Sequence, residues 1–420
     1  MPSFALGPGF GPLSNRAPQY QNQTTLVIDN HGFLRFAAFS RRILALPHEI
    51  LTEIFLHCLP DVEFVEPDMT SAPLLLCGIC RQFREIALST PELWSSLNFN
   101  LGWADEDGIE EGILRWLSRA RRNPLSLCLS DSEGMWTSDS AWSIMQTVVG
   151  LSPQWRNIDL NLAPDWLDST LPPGGNFPLL EKLALTMLDG FSVRISFHDA
   201  PKLRQFVAPV YHPLQSSNMQ VPWHQITTLR MTRKPPPFLD GPCFENLTLQ
   251  FWHVGDLDIS PFISFVSRSS FQLHTLALSL ALSTDFIYIA QSLKELPSLA
   301  YLKIEITCLL WSVFVLADRM DTVFHLFIGD HTFLPNLESL HIIITDLVAV
   351  REITIFELLR WRWAARGITR LCSFRLAHDC DVPVLDEIVN SSWEFQRLAA
   401  EGMDLYFGLH QPSIDWVYRA

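Results

Sequence analysis

One short apolar pattern, apolar-x-x-apolar-x-apolar, recurs in the chain between residues 155 and 376. Its copies begin at Trp155, Leu180, Leu203, Ile226, Phe244, Leu273, Leu299, Leu337 and Leu371, at spacings of 18 to 38 residues. The last two apolar positions of each copy flank a single residue. That is strand alternation: the flanking pair faces one side and the residue between them faces the other. A chain that returns to the same strand at such spacings is predicted to coil into a solenoid of parallel strands, with helices or loops outside. Pro178, Pro201, Pro297 and Pro335 precede their copies and suit an incoming loop rather than a strand interior. Helical segments are expected between strands at Phe262 to Ser267, Phe286 to Leu296 and Ile353 to Arg366.

The pattern resembles an irregular leucine-rich repeat. The Asn that usually follows the repeat core is absent, with Leu188, Lys234, Ala281, Thr307 and Thr345 in its place. Other contacts must therefore close each coil. The residue between the last two apolar positions lies on the inner face, where a solenoid binds its partners. That face and its neighbours carry Arg230, Thr248, Gln250, Trp252, Lys303, Glu305, His341 and Arg375, and these are the candidate target-binding residues. Trp252 stands out, because an exposed Trp is typical of interface anchors.

Upstream of the array the period changes. Leu46, Ile50, Leu51, Ile54, Phe55 and Cys58 fall at helical steps behind Pro47, and Pro60 ends the run. An acidic insert follows, with Asp61, Glu63, Glu66 and Asp68, read as a solvated loop. One helix is predicted over Ala72 to Ala87, with Leu76, Ile79, Cys80, Phe83 and Ala87 on one face. Thr90-Pro91 then opens a short third helix carrying Leu93 and Trp94. These few apolar helices have too little core of their own and call for a partner.

Leu46-Pro47-x-Glu49-Ile50-Leu51, Ile79-Cys80-Arg81-x-Phe83 and Pro91-x-Leu93-Trp94 together resemble an F-box. The acidic insert, Ala72-Pro73-Leu74-Leu75-Leu76, and the run from Ala87 to Leu97 resemble the large fungal F-box family in particular. Phe83 departs from it, since the family more often has Trp there. Gly78 is a second departure, costing roughly 1 kcal/mol relative to Ala in a helix. The resemblance implies docking on a Skp-type adaptor, and through it a cullin. The docking residues would be Leu46, Pro47, Ile50, Leu51, Ile54, Phe55, Ile79, Cys80 and Trp94.

The expected organisation is a flexible tail over 1–42, the F-box over 43–100, an irregular repeat array over 101–384 and a helix–strand cap over 385–420. Within it, Ile109 to Arg121 reads as a helix, Leu125 to Leu129 as a strand, Leu385 to Gly402 as a helix and Met403 to Phe407 as a last strand. A weak strand is expected at Thr24 to Ile28.

Composition narrows the function. A net charge of -15 lacks the basic footprint of a nucleic-acid binder and does not suit an anionic membrane surface. The longest apolar run, Cys308 to Ala317 with Ser312 inside it, is too short to span a bilayer. No secretory leader is read at the N-terminus, and an intracellular protein, cytoplasmic or nuclear, is expected. The 8 Cys read as small core residues. Cys77-x-x-Cys80 lacks a second ligand pair, and His378-Asp379-Cys380-Asp381 reads as a polar turn. No metal, cofactor or catalytic set is expected. The resemblance implies the substrate-recognition subunit of an SCF-type cullin–RING ubiquitin ligase, itself non-catalytic. The alternative is an F-box scaffold outside a ligase.

Overall fold

The computed structural model describes residues 43–131, 138–162, 175–187, 196–209, 221–232, 245–250, 272–281, 293–307, 321–344, 352–378 and 392–409. The expected tail, the strand at 24–28, the helix at 262–267, Trp252 and residues 379–381 lie outside them. The chain divides into two compact units, Met1–Lys202 and Leu203–Ala420.

The first unit opens with helices α1 (His48–His57), α2 (Leu74–Ile79) and α3 (Arg81–Ser89). The single helix expected over Ala72 to Ala87 is thus two. Cys80 breaks it by turning extended, at φ -158° and ψ 170°, and its thiol accepts the Phe83 amide at 3.4 Å to cap α3. A 3-10 turn over Pro91–Trp94 leads into β1 (Ser96–Asn100). Helix α4 (Ile109–Arg119), β2 (Leu125–Ser130), α5 (Asp139–Gly150), β3 (Trp155–Leu162) and β4 (Lys182–Met187) follow. The four strands pair in chain order, all parallel.

Two of these elements go beyond the sequence reading, β1 and α5. Both have local causes. Residues 96–100 alternate half-buried and buried, as Ser96-Leu97-Asn98-Phe99-Asn100 requires. In α5, Ser138 caps the helix through its Oγ, 3.0 Å from the Ala141 amide, and Ala141, Ile144, Met145 and Val148 are buried on one face.

Buried indoles knit this unit. Trp94 and Trp155 each donate Nε1–H to a carbonyl seven residues earlier, Ala87 at 2.8 Å and Val148 at 3.0 Å. Trp94 packs edge-on against Trp116 at 4.9 Å, and the Arg119 guanidinium lies 4.4 Å from the Trp94 ring centre. The helical stretch is therefore built into the start of the array rather than set apart from it at residue 100.

The second unit carries eight strands in chain order, again all parallel to their neighbours: β5 (Gln205–Pro209), β6 (Thr228–Thr232), β7 (Asn246–Gln250), β8 (Thr275–Ala281), β9 (Tyr301–Thr307), β10 (Ser339–Ile344), β11 (Ser373–His378) and β12 (Asp404–Leu409). The last two apolar positions of all nine units fall on strands β3 to β11. Pro178, Pro201, Pro297 and Pro335 sit in turns before them. A backbone ladder joins successive coils at the start of the strands. Glu245, His274, Ala300, Glu338, Cys372 and Asp404 each donate an amide to the coil before, at 2.7–2.9 Å. Helices α6 (Glu352–Ala364) and α7 (Trp393–Ala400) pack outside. On α6, the fully buried Arg362 donates to the carbonyls of Phe327, Phe333 and Leu334 at 3.2, 2.8 and 3.0 Å. Burial lowers its pKa to about 10, so it stays charged at neutral pH and ties down a turn in which Leu334 has a φ of 47°. Among the described residues no helix is long and apolar enough to cross a membrane.

Candidate docking surface

Helix α1 has two apolar sides. Leu51 and Phe55 point in, with Phe55 edge-on to Phe83 at 4.8 Å. Ile50 and Ile54, one turn apart, point out and are 47% and 43% exposed. Helix α2 repeats the arrangement: Leu76 is buried, while Leu75 and Ile79 are exposed, Ile79 by 55%. Leu44, Val62 and Met69 add to the exposed set. Of the twelve large apolar side chains exposed among the described residues, seven thus come from residues 44–79. Isolated surface apolar residues need no explanation, but such a concentration marks an interaction surface.

The nine expected docking residues divide. Pro47, Ile50, Ile54 and Ile79 are exposed, and Leu46 and Cys80 are half-buried. Leu51, Phe55 and Trp94 are almost wholly buried in the chain's own packing, so they cannot offer contacts and instead hold the outward side chains in place. Leu75 was missed because its outward direction depends on where α2 begins and ends, and Leu44 because it precedes the helical run that starts at Leu46. Gln82 Nε2 donates to the Leu44 carbonyl at 3.1 Å, and Arg84 Nε donates to the Cys77 carbonyl at 2.8 Å, so α3 fixes both neighbouring segments.

The acidic insert is more than a solvated loop. Val65 is buried, accepts the Asn98 amide of β1 at 2.8 Å, and donates its own amide to Ser96 Oγ at 3.0 Å. Ser96 Oγ donates to the Glu63 carbonyl at 2.9 Å, and Asn98 Nδ2 donates to Glu66 Oε1 at 3.1 Å. Glu63 also forms an ion pair of 2.5 Å with Lys182 on β4. The insert thereby covers the free edge of β1, an edge that would otherwise template pairing with another chain.

The strand register aligns the candidate target residues. Arg230, Thr248, Ala277, Lys303, His341, Arg375 and Tyr406 form one row across β6 to β12. The row is less open than expected. Lys303 and His341 are buried, at 8% and 5% exposure, and β10 is buried on this side throughout. Arg230 and Glu305 are half-buried. Arg375 is half-buried and bonds Asp404 at 3.0 Å. Gln250 lies on β7, one row along, and the description of its side chain falls outside the described residues.

The first unit's inner face is half-buried along most of two rows, the second of which ends on the buried Ala184. Rows Ser96–Ser126–Asn157–Lys182 and Asn98–Cys128–Asp159 run across its strands, with each of these side chains half-buried. Burial, with Asp159, Glu63 and Glu66 nearby, pushes the Cys128 thiol up to about 12. It is therefore a neutral thiol at physiological pH and a poor nucleophile. Among the described residues no group of three or more His, Cys, Asp or Glu could hold a metal ion.

A scan against protein-family models returned no match, and a comparison with curated proteins returned no relative.

Proposed function

We propose that the chain is the substrate-recognition subunit of an SCF-type cullin–RING ubiquitin ligase. Its helical stretch docks a Skp-type adaptor, and its parallel-strand array holds a target protein. What carries the reading is the outward apolar set on α1 and α2, above an inner layer of Leu51, Phe55 and Trp94 that is already packed. Each such side chain supplies roughly 1.5–3 kcal/mol when a partner buries it. The chain's own contribution to ubiquitin transfer is proximity, which raises the effective concentration of a target lysine.

Co-purification of the full chain with a Skp-type adaptor and a cullin tests the proposal. Capture of both supports it. Capture of the adaptor without a cullin turns the reading to a scaffold outside a ligase. Capture of neither removes it.

A further inference from the structure

We propose that residues 63–66 form an autoinhibitory strap over the inner face of the first unit, and that a partner gains that face only when the strap lifts. The observation is where the insert's bonds end. Ser96, Asn98 and Lys182 all lie on the inner-face rows, not on the outer, helix-covered side. Glu63 bonds Ser96 on β1 through its carbonyl and Lys182 on β4 through its carboxylate. Three strand spacings separate β1 from β4, roughly 14 Å. The Glu63–Lys182 pair therefore reaches across the row that holds Ser126 and Asn157. Glu66, held by Asn98, lies in the adjoining row, next to Cys128.

Pro60 and Pro67 bracket the strap, and its outer groups are wet: the Glu63 side chain keeps 37% exposure. An ion pair of that kind is weakened by salt and by competing charges. A partner that offers a cation to Glu63 and Glu66, or a carboxylate to Lys182, competes for the same closures. The strap proposal goes beyond the ligase reading and uses it only in treating the inner face as the recognition surface.

Cys128 reports on the face directly. Its alkylation by iodoacetamide, resolved by peptide mass spectrometry, is compared in the full-length protein with that of the exposed Cys58. The Ser96→Ala/Asn98→Ala variant loosens the strap without adding or removing a charge, and any withdrawal of Glu63 and Glu66 from the thiol acts in the same direction as uncovering it. We expect Cys128 labelling about tenfold faster relative to Cys58. Lys182→Glu is expected to open the strap as well, and adding Glu63→Lys to restore slow labelling. Unchanged Cys128 labelling in the alanine variant, with exchange of the Val65 amide accelerated, overturns the proposal. So does a charge-swapped pair that labels as fast as Lys182→Glu alone. Failure of the wild-type chain to capture an adaptor sinks the ligase reading and leaves this measurement intact.

Discussion

Strands β2 and β10 hold equivalent places in their units, each between two parallel neighbours, yet they differ in what they show to solvent. Leu125-Ser126-Leu127-Cys128-Leu129-Ser130 alternates strictly between buried and half-buried. Ser339-Leu340-His341-Ile342-Ile343-Ile344 is buried throughout. The difference follows from the side chains between the core positions. In β2 they are Ser and Cys, small enough to stand in a wet face. In β10 Ile343 occupies an inner position, and a strand apolar on both sides belongs in a sheet covered on both sides. Strand β2 thus keeps a polar, half-buried inner side, whereas β10 spends its apolar residues on closing both of its sides.

The largest effect is expected where the first unit holds its helices to its strands. Trp94→Ala removes the indole between α3 and α4 and leaves the Ala87 carbonyl without its donor. A loss of about 3–5 kcal/mol is predicted, read as an early denaturant transition of the first unit. A single transition at unchanged midpoint would contradict the picture of helices built into the array.

Next comes a direct contrast of the two inner faces. His341→Asp places a carboxylate in a buried row and is expected to cost about 3 kcal/mol. Asn157→Asp, at a half-buried inner position of the first unit, is expected to change stability by less than about 0.5 kcal/mol. Equal costs in thermal melts would erase the distinction between half-buried and buried inner positions.

A smaller effect is a pH dependence confined to the first unit. The Cys128 thiol holds its proton in the folded chain up to about 12, whereas an ordinary thiol gives it up near 9.0. Between those values the folded state binds more protons than the unfolded one. Stability from this group is therefore present below pH 9 and declines as pH rises. Cys128→Ser should flatten that decline in melts run from pH 8 upward. The smallest effect is predicted for Arg156→Ala, which breaks a surface pair with Glu181 at 3.0 Å, both about half exposed. Less than about 0.5 kcal/mol should be lost.

Much of this architecture is legible in the sequence, because the apolar-x-x-apolar-x-apolar unit specifies a strand and its buried face together. Leu183 and Leu185, or Leu302 and Ile304, could be placed inward from spacing alone. Shielding of the opposite face could not, since the position of His341 between Leu340 and Ile342 says which way it points and nothing of what lies over it. Ile343 was the available sign. The break at Cys80 was hidden because Leu76, Ile79, Phe83 and Ala87 keep helical spacing across it. Direction was harder still on the docking helices: Ile50 and Leu51 are adjacent apolar residues, and only the packing of Phe55 on Phe83 decides that one faces out and the other in. The strap was invisible because its partners, Ser96, Asn98 and Lys182, are ordinary polar residues up to 119 positions away.

The most direct test is the dissociation constant of the full chain for a purified Skp-type adaptor, measured by calorimetry for the wild type and for Ile54→Asp/Ile79→Asp. Both side chains are exposed, so the variant should melt with the wild type. Two anchors at roughly 1.5–3 kcal/mol each predict affinity weakened by about a hundredfold or more. An unchanged dissociation constant, or a wild-type chain with no affinity for the adaptor, would contradict the account.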